Sequence, residues 1–360
     1  MMIKNWVDEY IQNFSDFPGG FSNLEDLLHW QWFAWNLLAV VLLTLLFSKS
    51  KKRSWRRLKA HLRSRRARSE AHLDVQFFIL KILYQPLKIV FLTPIFIWIS
   101  SVARWHGLGL TRYLTEAHAI VLHGVPAYAF KALWVLLFYD LAYYWSHRIQ
   151  HQVNFFWHLH SVHHRSTYLT PLLKYRTHPF DNLINNAFSF TMGAFMMGVF
   201  NAFFSIQGST PGYDFGYLAV AFGAHFIFGH IRHSHYWISY GPVLSRVLVS
   251  PAMHQIHHSY APQHQGKNLG SMFAIWDLMF GTLYVPEKKE ALQFGESAEA
   301  KHEKKTLWGE FKTPVVKAVE SLPGFGAWVR AKEPRYGWRL VLCLTLVLML
   351  ASCALKVYAF

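Results

Sequence analysis

Cysteine is almost missing from this chain. Only Cys343 and Cys353 occur among its 360 residues, and both lie in the last apolar run. A disulfide framework needs several cysteine pairs, and thiolate metal sites or iron–sulfur clusters need grouped cysteines. The sequence therefore excludes a disulfide scaffold, and it excludes thiolate ligands in the part of the chain where other metal ligands are dense.

Charged residues are also scarce. They make up 16% of the chain, where about a quarter is usual, whereas hydrophobic residues reach 52% and aromatic residues 17%. The apolar residues fall into long runs, which is typical of a membrane protein. The N-terminus lacks the pattern of a cleaved signal peptide, because its apolar run begins only near Trp30.

Acidic residues are fewer still, 20 against 36 lysines and arginines, which gives a net charge of +16. The excess is local: eleven Lys or Arg and no acidic residue lie between Lys49 and Arg68. Such a run directly after an apolar helix favours a cytoplasmic flank facing anionic lipid. Nucleic-acid binding is the alternative interpretation of a basic run, and we predict no nucleic-acid partner.

The apolar runs predict an all-α integral membrane protein with about six transmembrane helices and a cytoplasmic, histidine-rich helical cap holding a dimetal site. The predicted spans are 30–47, 77–102 (one kinked span or a re-entrant pair), 128–146, 183–204, 215–229 and 338–360, with a polar link at 103–127. Three domains follow: 1–75, an interfacial segment, first membrane helix and basic segment; 76–286, the catalytic domain; and 287–360, a charged peripheral segment and a last membrane helix.

Histidine, in contrast, is abundant. Fifteen of the 22 histidines lie between His147 and His264. One pair has i, i+4 spacing, and a His-x-x-His-His pattern occurs twice, so on helices each set would share one face. A lone histidine is usually a core residue, but this repetition favours metal binding by neutral imidazole. Eight imidazoles exceed the needs of one ion and predict two. The three sets are His147 and His151; His160, His163 and His164; and His254, His257 and His258.

Carboxylates are few in this region. Asp140 lies seven residues before His147, on the same helical face, and is predicted to accept a hydrogen bond from a ligand histidine. A polar residue at the membrane edge is the alternative. Asp277 could accept from a ligand histidine or cap a local helix. The lack of carboxylate ligands argues against a zinc-dependent hydrolase, and ligands at the ends of the spans argue against a metal transporter.

The arrangement resembles the fatty acid hydroxylase/sterol desaturase superfamily of integral membrane di-iron oxygenases, over roughly residues 138–285. The motifs that carry the resemblance are His147-Arg-Ile-Gln-His151, His160-Ser-Val-His163-His164, Arg176-Thr-His178-Pro179, His233 eight residues before Gly241-Pro242, His254-Gln-Ile-His257-His258, Asn268-Leu-Gly270 and Trp276-Asp277-Leu-Met-Phe-Gly281-Thr282.

The resemblance implies nine metal ligands, to which we add His178 as a tenth. A structural hydrogen bond beside Pro179 is the competing role for His178, and His230 and His235 are its rivals. His158, His225 and His264 fall outside the pattern and are not expected to bind metal. The implied ligands are His147, His151, His160, His163, His164, His233, His254, His257 and His258.

The resemblance also implies two iron ions, with zinc as a substitute, and O₂-dependent hydroxylation of an unactivated C–H bond in a fatty acyl, sterol or ether lipid. Desaturation at the same site is the alternative reaction. The chain has no dinucleotide fingerprint or haem motif, so an external electron donor is expected: a ferredoxin, a flavoprotein reductase or a cytochrome. The basic run could dock such a carrier, although lipid binding is the simpler role. We expect a bacterial inner membrane with the site on the cytoplasmic side.

Overall fold

The computed structural model describes residues 64–115, 120–207, 231–297 and 305–322, and within these residues it is mainly helical. The elements are α1 (Arg65–Thr115), β1 (Ile120–His123), α2 (Gly124–Gln152), α3 (Asn154–His164), a 3₁₀ turn (Pro171–Tyr175), α4 (Pro179–Phe203), β2 (Phe204–Gln207), α5 (Gly241–Leu244), α6 (Pro251–His257), a 3₁₀ turn (Pro262–His264), α7 (Ile275–Met279) and α8 (Leu307–Glu320).

Helices α2 and α4 are long and apolar enough to cross a membrane. They correspond to the third and fourth predicted spans, and each extends past the predicted bounds into the histidine region. The second predicted span lies within the longer helix α1. The first, fifth and sixth predicted spans lie outside the described residues, so the count of six stays a prediction.

The polar link predicted at 103–127 is wrong in part, because helix α1 continues to Thr115 and α2 already begins at Gly124. Helix α1 is held against α4 by two glycines. A Cβ atom at Gly107 would collide with the backbone carbonyl of Phe195, and one at Gly198 would collide with that of Arg104. Close backbone approach through small residues is a common way to pack membrane helices, and here it sustains the helix beyond the apolar run.

A two-stranded parallel sheet was not predicted. It pairs Ile120 with Phe204 through to His123 with Gln207, so β1 leads into α2 where β2 leaves α4. Its strands are four residues long, too short to produce a period-two pattern in the sequence. The sheet joins the start of α2 to the end of α4, which are the ends of these helices far from the histidines.

The short elements after residue 153 pack onto the histidine ends of α2 and α4. Ser250 caps α6 by accepting the Met253 N–H, and Pro251 occupies its first turn. Helix α8 lies against α3, where its Leu307 and Phe311 pack onto buried apolar residues of α1 and α3. Residues 305–322 are therefore not the peripheral tail expected from their charge.

Candidate metal centre

Nine of the ten predicted ligand histidines gather in two groups. In each group one ring nitrogen per histidine lies within 4.8 Å of those of all the others. The five-histidine cluster consists of His147, His151, His160, His164 and His257. The four-histidine cluster consists of His163, His233, His254 and His258.

Each His-x-x-His-His motif supplies both clusters. The i and i+4 residues of one motif point to the same cluster, and the remaining i+3 residue points to the other. Helix α3 therefore gives two ligands to the five-histidine cluster and one to the other, and the second motif does the reverse. The two clusters adjoin where the His164 and His258 rings stack, with 4.5 Å between ring centroids. Because each motif supplies histidines to both clusters, the two copies of the motif together build both sites.

The cluster side chains are buried, except that His151 is only half-buried. Burial lowers the pKa of His163 and of His257 to about 3, and it lowers the pKa of His164, His254 and His258 well below the usual value. The neighbouring imidazoles lower most of these pKa values further. These five rings are therefore neutral at physiological pH, which is the form that binds metal ions.

Backbone carbonyls fix the tautomer of three rings. The Nδ1 atoms of His147, His257 and His163 lie 2.8, 2.9 and 3.3 Å from the carbonyl oxygens of Leu269, Lys267 and Arg176. A carbonyl oxygen can only accept, so each Nδ1 carries the proton and each Nε2 presents a bare lone pair.

Within each cluster, Nε2 atoms of different histidines face one another at short range. His147 and His160 are 3.1 Å apart at Nε2, and His233 is 3.0 Å from His163 and 2.9 Å from His254. Facing lone pairs repel unless a cation lies between them. Imidazole nitrogens bound to one ion at about 2.0–2.1 Å lie about 2.9–3.4 Å from each other, so the observed spacing fits a shared metal ion in each cluster. All donors are nitrogen, a set that suits zinc, iron, copper or nickel.

Asp181, which the sequence reasoning missed, supports the five-histidine cluster. Its Oδ1 lies 3.3 Å from His160 Nδ1, the carboxylate is buried, and it also accepts hydrogen bonds from the amides of Gln150 and Asn185. A carboxylate on the far nitrogen orients a ligand histidine and makes it more basic. The sequence feature that could have identified Asp181 is its position in the first turn of α4, two residues after the His178-Pro179 pair.

Asp140 and Asp277 do not contact a ligand histidine among the described residues, so the direct role predicted for them is wrong. Asp140 accepts the backbone N–H groups of Met272 and Phe273 and the indole N–H of Trp276. The support they give is indirect, because a loop lies between these carboxylates and the imidazoles.

That loop, residues 267–273, carries the carbonyl groups of Lys267 and Leu269 that orient two ligands. Asp277 accepts the N–H groups of Leu269 at 2.7 Å and Gly270 at 2.9 Å, and the Thr282 hydroxyl at 2.6 Å. Asp277 therefore fixes the peptide that holds His147. It does not cap α7, because it lies within that helix.

His178, the predicted tenth ligand, lies in neither cluster. Its Nδ1 accepts the Phe180 N–H at 3.3 Å, and its Nε2 lies 3.2 Å from the Phe311 carbonyl oxygen, to which it donates. Neither nitrogen is left for a metal, so the observed role is the structural one beside Pro179. Of its rivals, His235 is exposed and packs on Tyr236, and residue 230 lies outside the described residues.

Comparison with known proteins agrees with the geometry. Residues 132–282 match the model of the family described as fatty acid hydroxylase. These matched residues, called here the fatty acid hydroxylase domain, make up less than half of the chain and support its resemblance to the fatty acid hydroxylase/sterol desaturase superfamily. All nine cluster histidines, Asp140, Asp181 and Asp277 fall within the fatty acid hydroxylase domain, whereas α8 and the described residues before 132 lie outside it.

Several curated proteins are similar to the fatty acid hydroxylase domain. An alkylglycerol monooxygenase of Caenorhabditis elegans is 33% identical over 42% of this chain and 26% of its own length, and one of Xenopus tropicalis is 32% identical over 42% and 30%. The ornithine lipid hydroxylase OlsE of Rhizobium tropici is 25% identical over 46% of each protein. The matches thus span less than half the length of these relatives. No solved structure matches the chain.

Proposed function

We propose that this protein hydroxylates an unactivated C–H bond of a membrane lipid, using O₂ and two iron ions held by the two histidine clusters. The observation that carries the proposal is the convergence of nine imidazoles, with facing Nε2 atoms, inside a fatty acid hydroxylase domain. The relatives' names, alkylglycerol monooxygenase and ornithine lipid hydroxylase, support a lipid substrate.

The ligand assignment follows from the contacts. His147, His151, His160, His164 and His257 would hold one ion, and His163, His233, His254 and His258 the other. Bound iron would supply the reduction of O₂ and the oxidation of the C–H bond. The protein's own contribution is to keep the Nε2 atoms bare through hydrogen bonds at Nδ1 and to exclude water by burying the clusters.

The placement of the clusters supports a substrate that enters from the bilayer. His147 and His151 lie in the last turns of α2, and Asp181 in the first turn of α4 contacts His160, so the centre lies at the ends of the two candidate spans. An acyl or alkyl chain lying along α2 and α4 could reach it without leaving an apolar environment. We place this centre on the cytoplasmic side, where an external electron carrier would supply two electrons for each turnover.

The test combines metal analysis with lipid analysis. The full-length protein, purified under iron-replete conditions, should carry about two irons per chain, the number that two separate imidazole clusters can hold. Lipid extracts from cells that make the protein should contain a species heavier by one oxygen atom. His257→Ala should lose metal and product, while His264→Ala should keep both, because His264 pairs with Glu290 at 3.0 Å outside the clusters. A lipid lighter by two hydrogens would mean desaturation, and tightly bound zinc without oxidised lipid would contradict the proposal.

A further inference from the structure

A buried network of charged side chains lies beside the four-histidine cluster. Its centre is Arg176, whose side chain is fully buried. Its guanidinium NH1 lies 2.6 Å from Glu70 Oε2 and 3.6 Å from Asp74 Oδ1, and its NH2 lies 4.0 Å from Glu310 Oε1. Lys305 pairs with Glu70 at 2.9 Å. The network therefore joins α1 and the start of α8 to the segment between α3 and α4.

The network reaches the metal centre by two routes. The backbone carbonyl of Arg176 orients His163 of the four-histidine cluster. Arg165, which directly follows the last histidine of α3, places its NH1 3.4 Å from Glu310 Oε1. Glu310 is 2% exposed and is the carboxylate that both arginines share. One side chain of α8 thus pairs with two arginines: Arg165, directly after α3, and Arg176, whose carbonyl orients His163.

The network contains more carboxylates than cations. Three buried carboxylates face three cations, and a fourth carboxylate, the partly exposed Glu296, lies 3.3 Å from Arg165 Nε. Loss of one partner of a buried ion pair leaves the other charge poorly compensated. Burial raises the pKa of Glu70, but Arg176 and Lys305 outweigh it and bring that pKa down to about 2, so Glu70 stays ionised. The members are Glu70, Asp74, Glu296, Glu310, Arg165, Arg176 and Lys305.

The two clusters differ in where their support comes from. The five-histidine cluster is oriented by Asp181 and the 267–273 loop, both inside the fatty acid hydroxylase domain. The four-histidine cluster is oriented at His163 by Arg176, whose carboxylate partners Glu70, Asp74 and Glu310 all lie outside residues 132–282. Part of the support for the four-histidine cluster therefore comes from chain segments outside residues 132–282.

We propose that Glu310 is a positioning residue for the metal in the four-histidine cluster, and that packing of α8 is thermodynamically coupled to filling that cluster. The proposal rests on the proposed function only in taking the two clusters as metal sites. Because coupling is reciprocal, α8 should strengthen metal binding, and metal binding should stabilise the packing of α8 by the same factor.

The first experiment measures metal binding to full-length Glu310→Gln in detergent, with Zn²⁺ as a redox-silent probe. Glu320→Gln is the matched control, since Glu320 lies on the same helix outside the network. Loss of a group that orients a ligand typically weakens metal binding about 10- to 100-fold. We expect one of two sites to weaken by that factor in Glu310→Gln and neither in Glu320→Gln. Two unchanged sites in Glu310→Gln would overturn the proposal.

The second experiment needs no change to the network. Hydrogen–deuterium exchange of residues 307–320 is compared in the wild-type chain with and without Zn²⁺, and then in a His163→Ala/His258→Ala double variant. We expect Zn²⁺ to slow exchange in the wild type but not in the double variant, which retains only the five-histidine cluster. Equal exchange with and without metal in the wild type would overturn the coupling. A wild-type chain that binds no metal at all would instead contradict the proposed function.

Discussion

The Nδ1 atom of His147 lies 2.8 Å from the carbonyl oxygen of Leu269, and the N–H of Gly270, which belongs to the same peptide group, lies 2.9 Å from Asp277 Oδ2. One peptide group thus connects a buried carboxylate to a ligand of the five-histidine cluster. Asp277 acts on the metal centre through this peptide and without contact with an imidazole. The same loop carries the Lys267 carbonyl that orients His257.

Asp277→Asn should weaken metal binding at the five-histidine cluster. The amide group keeps only one acceptor, so it would turn an NH₂ toward the N–H of Leu269 or of Gly270 and leave that group unsatisfied, at a cost of about 1–3 kcal/mol. We expect a lower melting temperature and one weakened site in Zn²⁺ titrations. The exposed Glu287→Gln is the control. Unchanged affinity at both sites would show that the loop does not depend on this carboxylate.

Asp181→Asn should act on the same cluster by a different contact. Asp181 lies 3.3 Å from His160 Nδ1, and its replacement removes the negative charge that makes this ligand more basic. The expected loss in metal affinity is about 10- to 100-fold, measured with Zn²⁺ and set against Glu287→Gln. Combination with His160→Ala separates the effects: the double variant should lose no more affinity than His160→Ala alone. An additive loss would place Asp181 in some other role.

The sequence predicted which histidines come together in the fold, because helical spacing is a local property. Within one or two helical turns, the spacing places His147 and His151 on one face of a helix, and the same holds for the histidines of each His-x-x-His-His motif. The sequence did not predict how the histidines of each motif divide between the two clusters. That division depends on how α3 packs against α6, which the local sequence does not determine. Asp181 was missed for the same reason, since its partner His160 lies 21 residues away.

The position of the 267–273 loop between the carboxylates and the histidines could not be predicted from local sequence patterns. Asp140 does lie on the same face of α2 as His147, as predicted, but Met272 and Phe273 come between it and the ligands through contacts more than 130 residues apart in sequence. Likewise, the charge of residues 305–322 predicted exposure. In the fold Glu310 pairs with Arg165 and Arg176, and Lys305 pairs with Glu70, and no pattern within α8 could indicate these distant partners.

His178→Ala tests whether His178, the predicted tenth ligand that lies in neither cluster, binds metal. Both its nitrogens bond to backbone groups, those of Phe180 and Phe311. We expect the variant to bind metal at both clusters with wild-type affinity and to lose about 1 kcal/mol of stability, the usual value of a helix N-cap. The measurements are a Zn²⁺ titration and a melting temperature. Loss of a metal site would restore His178 to the ligand set.

Gly198→Ala and Gly193→Ala form a matched pair on α4. A methyl group at Gly198 would overlap the Arg104 carbonyl, whereas one at Gly193 meets nothing within 4 Å. Gly198→Ala should push α1 from α4 and destabilise the protein by about 1–3 kcal/mol. Gly193→Ala should be neutral or stabilise it by up to about 1 kcal/mol, because alanine favours the helix. Melting temperatures in one detergent compare them, and equal values would disprove the close contact.

Asp74 gives the network a pH dependence of definite sign. Burial raises its pKa to about 6 from the model-peptide value of 3.8, against the lowering effect of Arg176. The folded protein therefore holds this proton more tightly than the unfolded chain, so the contribution of Asp74 to stability falls as pH rises from about 4 to about 6. The shift corresponds to about 3 kcal/mol at most.

Asp74→Asn removes that titration. Relative to the wild type, the variant should gain melting temperature steadily between pH 4 and pH 6 and hold the gain above pH 6, because its amide stays neutral where the buried carboxylate must ionise. Glu70 makes the opposite contribution: its pKa of about 2 gives stability above its unfolded value of 4.5 that is lost on acidification, in both proteins alike. The difference between the two melting curves therefore isolates Asp74. A difference that is constant from pH 4 to pH 8 would mean that Asp74 ionises with an ordinary pKa beside Arg176.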